Sequence, residues 1–127
     1  MEQTLSKTGK TRLTKPQVLI IESFWSDEQR IREGYQEALT GTEVVLVKYF
    51  ELAHNYASRT HVDFTVMSVD WETSANKVRR QISAIWQVCP ETKIILMARP
   101  GFDAHDARVK AVVPKQPLTA LAAEIRK

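Results

Sequence analysis

Five short apolar runs at nearly even spacing constrain this chain more than any other feature: Val18–Ile21, Val44–Val47, Phe64–Val69, Ile94–Met97 and Ala111–Val113. Each is about the length of a strand and rich in β-branched residues, and most are followed by a segment with helical periodicity. A strand that is apolar on both faces belongs in a sheet covered on both sides, so the alternation predicts parallel strands joined by crossover helices. Five such units in 127 residues predict one small α/β domain with a doubly wound, five-stranded parallel sheet. In that architecture ligands and chemistry gather at the carboxyl edge of the strands. The residues to examine are therefore those just after each run: Glu22 and Ser23, Ser68 to Asp70, Ala98, and Lys115.

Local punctuation fixes the order of elements. Lys15-Pro16 closes a polar N-terminal stretch, and the first strand is expected over Gln17–Glu22. Ser26, with Gln29 three residues on, makes a capping-box pattern for a helix through Leu39. Ile31, Tyr35, Ala38 and Leu39 share its apolar face, and Gly41 stops it. A second strand is expected over Glu43–Lys48, then a weaker helix over Glu51–Ser58 with Leu52, Ala53, Tyr56 and Ala57 inward. The third strand spans Asp63–Val69, and Thr73 or Ser74 caps a helix with a clear stripe of Val78, Ile82, Ile85 and Cys89. Pro90 ends that helix, the fourth strand runs Lys93–Ala98, and Pro100-Gly101 breaks the chain. Residues 102–108 leave room for only a couple of helical turns, so the fourth crossover helix should be short or missing. A short fifth strand reaches Val113, and Leu118–Arg126 forms the last helix.

Composition narrows the partners. Of 18 basic and 15 acidic side chains, Lys7, Lys10, Arg12, Lys15 and Glu2 fall in residues 1–15, which leaves 14 of each sign in the body. A nucleic-acid surface concentrates positive charge on the folded body. Nucleic acid is thus not expected as a partner, except through residues 1–15, read as a flexible basic arm preceding a domain over 16–127. One cysteine, Cys89, rules out an intrachain disulfide and suits a reducing compartment. No run approaches the roughly 20 apolar residues of a membrane span, and the N-terminus lacks the apolar core of a secretory signal. A cytoplasmic protein is expected. His54, His61 and His105 are scattered without zinc-ligand spacing, and no Gly-rich phosphate loop, nucleophile elbow or Cys-x-x-Cys pair is present.

The fragments Pro16-Gln17-Val18-Leu19-Ile20-Ile21-Glu22, Val69-Asp70-Trp71, Pro90 through Ala98, and Val112-Val113-Pro114-Lys115 stand in the order and spacing of one family. Over residues 16–127 the chain resembles the receiver domains of bacterial response regulators, which have a flavodoxin-like (β-α)5 fold. The resemblance implies an aspartate phosphoacceptor after the third strand, two acids after the first that hold Mg²⁺, a hydroxyl after the fourth and a lysine after the fifth. Carried over, that set is eroded. Glu22 matches the first acid, but Ser23 replaces the second and Ala98 replaces the hydroxyl. Lys115 matches the lysine, though Gln116 follows it and the proline, Pro117, comes one residue late. The phosphoacceptor position falls on Asp70 when counted back 28 positions from Ala98, and on Ser68 when counted from the first-strand acids.

The expectation is an atypical, degenerate pseudo-receiver, a non-enzymatic regulatory domain of two-component signalling or transcription regulation. It would act through a protein partner such as a kinase, regulator or effector domain, independently of phosphorylation and without a cofactor. One alternative is a working receiver phosphorylated on Asp70, with Mg²⁺ held by Glu22 and Asp70. The other is a small flavodoxin-like ligand-binding domain. Lys115 is expected to bridge to Glu22 or Asp70. Ala98 and Lys115 are only 17 positions apart, fewer than the family usually has. The shortened crossover should leave the last strand uncovered, so a homodimer through Val109, Val112, Val113 and Leu118 is expected, with Trp86 as a second partner surface.

Overall fold

A computed structural model of the chain describes residues 3–5, 11–13, 15–23 and 27–127. Two short strands, β1 (Gln3–Leu5) and β2 (Thr11–Leu13), pair antiparallel in a sheet of their own, an element that periodicity did not predict. The main sheet holds β3 (Gln17–Ile21), β4 (Glu43–Val47), β5 (Phe64–Ser68), β6 (Lys93–Met97) and β7 (Val109–Val113). Their spatial order is β4-β3-β5-β6-β7, and every pair is parallel. The order reverses between β3 and β5, so the topological switch point lies where Ile21 and Ser68 end their strands.

Helices cover both faces. On one side α1 (Glu28–Ala38) and α4 (Thr119–Arg126) bring Tyr35, Leu121, Ala122 and Ile125 onto Val18, Ile20, Val66, Ile95 and Met97. On the other, α2 (Phe50–Arg59) and α3 (Ala75–Val88) meet Leu19, Met67, Ile94 and Leu96. Adjacent strand residues alternate between these two cores, which is why the apolar runs are continuous. The α3 stripe is as expected: Val78, Ile82, Ile85 and the thiol of Cys89 are all buried. No helix among the described residues is long and apolar enough to cross a membrane.

Two details differ from the sequence reading, and a third, the absent fourth crossover helix, is as expected. The N-cap of α1 is Asp27, whose Oδ1 accepts from the backbone N–H of Arg30 at 3.1 Å; the expected cap, Ser26, lies outside the described residues. Leu52 is half exposed instead of inward, because Ala53 and Ala57, four residues apart, centre the buried side of α2. Between β6 and β7 the chain forms no helix, and residues 99–108 instead lie as a loop latched to α3. Ala104 is buried in the core beside α3, and its carbonyl accepts from Arg79 Nη1 at 2.7 Å. Arg108 donates to Ser83 Oγ at 2.9 Å and forms an ion pair with Asp106 at 2.7 Å.

The missing helix has a direct consequence on β7. A register irregularity sets Ile94 opposite Val109 but Ile95 opposite Ala111, so Lys110 is the extra residue. After it, Val112 stands opposite Leu96 on the α3 side and Val113 opposite Met97 on the α4 side. With no crossover helix over it, Val112 is left 42% exposed, while Val113 is buried.

Candidate functional site

The first acid of the carboxyl edge is held from inside. Glu22 follows β3 directly, its backbone N–H bonded to the carbonyl of Val47 at 3.0 Å. Its Oε1 accepts the hydroxyl of Tyr35 at 2.9 Å. Tyr35 is buried on the core face of α1, where an unpartnered phenol would be costly, and Glu22 is the partner that the fold supplies. Burial, the neighbouring Glu22 charge and this hydrogen bond together push the phenol above its ordinary range, so Tyr35 is a fixed proton donor to the carboxylate. The Tyr35 hydroxyl also lies 3.7 Å from Met97 Sδ.

Asp70 sits two residues beyond β5, in a turn closed by a reciprocal pair with Thr73. The Asp70 N–H donates to Thr73 Oγ1 at 3.2 Å, and the Thr73 N–H to the Asp70 carbonyl at 3.1 Å. Its carboxylate is 60% exposed and lies 3.7 Å from Lys115 Nζ, the residue two past β7. Of the two bridges open to Lys115 from the sequence, the described side chains form the one to Asp70. Both groups are well solvated, so the pair orients the edge more than it stabilises the fold. Lys115 is followed by Gln116, and the Gln116–Pro117 bond is cis.

Ala98 is buried, with its N–H bonded to the Val113 carbonyl at 2.9 Å, and it offers no polar atom from its side chain. Ser23 is exposed at the end of β3 and Ser68 half-buried at the end of β5. Ser23, Ser68, Asp70 and Thr73 line one groove of about 270 Å³, and Lys77 reaches it from α3. Glu22, Tyr35 and Lys115 line a different one on the α1 side. The two rival phosphoacceptor positions therefore share a groove, and the geometry does not separate them.

Of the expected Mg²⁺ donors, this edge holds the carboxylates of Glu22 and Asp70. That ion needs near-ideal octahedral oxygens and sheds its water reluctantly. Here Glu22 already accepts from Tyr35, a serine stands where the second acid would be, and Glu22 and Asp70 open onto different grooves. Among the described residues no group of three or more His, Cys, Asp or Glu side chains gathers where a metal could be held. The acids of 103–106 are engaged locally: Asp103 with His105, and Asp106 with Arg108. His61 lies at the opposite end of the sheet, 3.1 Å from Asp63, whose other oxygen accepts from the Gln17 N–H at 2.8 Å.

The expected interface residues fall into separate places. Val112 is exposed, Val109 and Leu118 are partly buried against the core, and Val113 is covered and offers no surface. Trp86 is partly buried: its indole N–H donates to the Thr92 carbonyl at 3.0 Å, and the Arg108 guanidinium lies over its ring. Sequence reasoning missed two features of the edge. One is the Tyr35 hydroxyl, which the requirement of a partner for a buried tyrosine could have flagged. The other is Arg99, which lies between the rings of Trp71 and Phe102, 5.6 and 5.4 Å from their centres.

No protein-family model matches the chain, and no curated protein sequence matches it. Solved structures do. The receiver domain of the sensor histidine kinase PA1611 from Pseudomonas aeruginosa PAO1, determined with a magnesium ion coordinated in its active-site cleft, superposes with a TM-score of 0.64 at 18% identity, covering 88% of this chain and 94% of that one. The chemotaxis response regulator CheY4 of Vibrio cholerae gives 0.60 at 18% identity, over 89% and 98% of the two chains. The signal receiver domain of an HD domain-containing protein from Pseudomonas fluorescens Pf-5 gives 0.58 at 17% identity, over 89% and 99%. The chain has the receiver-domain, flavodoxin-like fold, with a loop where a fourth crossover helix would lie.

Proposed function

We propose that this chain is a degenerate receiver-like regulatory module that acts in signal transduction through protein–protein contact, without phosphorylation and without catalysis of its own. The observation that carries the reading is the internal pairing of the carboxyl edge. Glu22 is taken by Tyr35 and Asp70 by Lys115, while Ala98 presents no hydroxyl. Phosphoryl transfer to a carboxylate needs preorganised cations and donors where charge develops, and this edge provides Lys115 alone from the expected set. The same pairs hold the edge in one arrangement, so a partner, not a phosphate, would select the active state. A buried single thiol suits a cytoplasmic setting.

Acetyl phosphate with excess Mg²⁺ is expected to leave the intact mass of the chain unchanged. A stoichiometric phosphate adduct that disappears in Asp70→Ala would replace this reading with a working receiver, and one that survives Asp70→Ala but not Ser68→Ala would move the acceptor.

The partner in the simplest form of this reading is a second copy. The edge strand β7 has no neighbour on its outer side among the described residues and presents Val112 where a crossover helix would cover it. Sedimentation at high micromolar concentration is expected to give a dimer, and Val112→Lys a monomer, because two like charges would face each other and cost at least about tenfold in affinity. A wild type that stays monomeric at those concentrations would remove the homodimer.

A further inference from the structure

The outer face of α3 has an unusual charge pattern. Residues Asn76, Arg80, Ser83, Ala84 and Gln87 recur at helical spacing on the side opposite the buried stripe. Together with Arg79 and Arg108 they line a groove of about 560 Å³ that contains no carboxylate. The helix carries Lys77, Arg79 and Arg80 and not one acid in fourteen residues. Of these cations, Arg79 is bonded to neutral acceptors, the Ala104 carbonyl and the Asn76 side chain, and Lys77 and Arg80 have no side-chain partner among the described residues. Arg108 is paired with Asp106, whose charge also acts on Arg79 at longer range.

At its N-terminal end this groove continues past Arg80 and Lys77 into a second one, lined by Trp71, Glu72, Ser74 and Asp70. Trp71 is 83% exposed there, with the Arg99 guanidinium against its ring. An exposed tryptophan stacked by arginine is the kind of group that anchors a protein interface once it is desolvated. The loop of residues 99–108, bonded to α3 through Arg79 and Arg108, fixes the far wall. Charge, an aromatic anchor and a fixed wall are thus placed along one helix of about 21 Å, a length that six or seven extended residues span.

We infer that the α3 groove is a docking surface for an extended acidic segment of a protein partner, with carboxylates on Arg79, Arg80 and Lys77 and an apolar residue on Trp71. This rests on the proposed partner-binding role and names the partner's chemistry. An acidic protein segment is favoured over nucleic acid because Asp70 and Glu72 stand beside Trp71, where a continuous phosphate backbone would meet them, and because the body of the chain beyond residue 15 has no net charge.

The test uses the full chain and a peptide of about seven alternating glutamates and leucines, sized to the helix. A lysine–leucine peptide and a single-stranded oligothymidylate serve as comparisons. The acidic peptide is expected to bind saturably, more weakly as salt rises, and to change tryptophan emission in the wild type but not in Trp71→Phe. Arg80→Glu, at a solvent-facing position, is expected to weaken it about tenfold, whereas Arg30→Glu on α1 leaves it unchanged. No saturable binding, or binding indifferent to Arg80→Glu, would overturn the inference. An oligothymidylate bound more tightly than the peptide through Arg80 would overturn it in favour of a nucleic-acid surface. Failure here with no phosphate adduct on Asp70 removes the α3 groove and leaves the regulatory reading standing. An adduct on Asp70 removes that reading whatever the peptide does.

Discussion

Leu96→Ala is expected to cost about 4 kcal/mol of stability. Leu96 is fully buried in β6, opposite Met67 on one neighbouring strand and Val112 on the other. It packs with Ile82, Val78 and Ala104 against the loop that stands in for a helix. Truncation removes three carbons' worth of burial and leaves a cavity that a central strand, bonded on both sides, cannot collapse to fill. The melting temperature should fall by roughly 15 °C, since one kcal/mol moves a domain of this size by about 4 °C. Val112→Ala, on the half-exposed side of the same row, should cost under about 1 kcal/mol in the monomer. Equal losses at the two positions, by thermal or urea unfolding, would mean that the α3 face of β7 is covered after all.

Asp106→Ala should be the largest polar effect, at about 2 kcal/mol. The Asp106 carboxylate is 6% exposed and takes three hydrogen bonds from Arg108: from its backbone N–H and Nε at 2.9 Å and from Nη2 at 2.7 Å. Arg108 in turn reaches Ser83 and lies over Trp86, so one carboxylate orients the residue that ties the loop to α3. Because Arg108 is itself about a third exposed, water recovers part of the loss, which keeps the cost below that of a fully buried pair. The pH dependence follows. Hydrogen bonds from Arg108, partly opposed by burial, hold the Asp106 carboxyl below its ordinary value. A depressed carboxyl contributes its full stability above the ordinary range and loses it as pH falls through the lowered value. Wild type and Asp106→Ala should therefore differ at neutral pH and converge in acid, once pH has fallen through the lowered value. Urea unfolding at both pH values checks this; a difference that persists unchanged in acid would show that the carboxylate charge is not what the loop uses. Hydrogen exchange across residues 99–108 should also quicken in the variant.

Much of the candidate site is legible in the amino-acid sequence, because strand ends are visible as the ends of apolar runs. Glu22, Asp70 and Lys115 are at the carboxyl edge for the same reason that the runs before them are buried. Which of them pair is not legible there. Lys115 has two carboxylates within plausible reach, and the choice of Asp70 depends on how two loops from β5 and β7 leave the sheet. Tyr35 reads as one more apolar position on α1, since periodicity scores its ring and says nothing about where its hydroxyl points. The inward reading of Leu52 fails because it weighs hydrophobicity above geometry: two alanines allow α2 to lie close to the sheet, and the leucine beside them turns outward.

The sequence by itself determined the α/β class, the five buried strands and their order along the chain, the helical stripe from Val78 to Cys89, and which residues end each strand, all of which are local patterns or residue identities. It also showed that the interval after Ala98 is too short for a full crossover helix. Only the tertiary structure decided what fills that interval. Arg79 and Arg108 find partners about 25 positions away in the chain, and the single extra residue at Lys110 decides which valine of β7 is exposed. Neither follows from local propensity, because a long-range hydrogen bond and a strand register each depend on the backbone of a second segment.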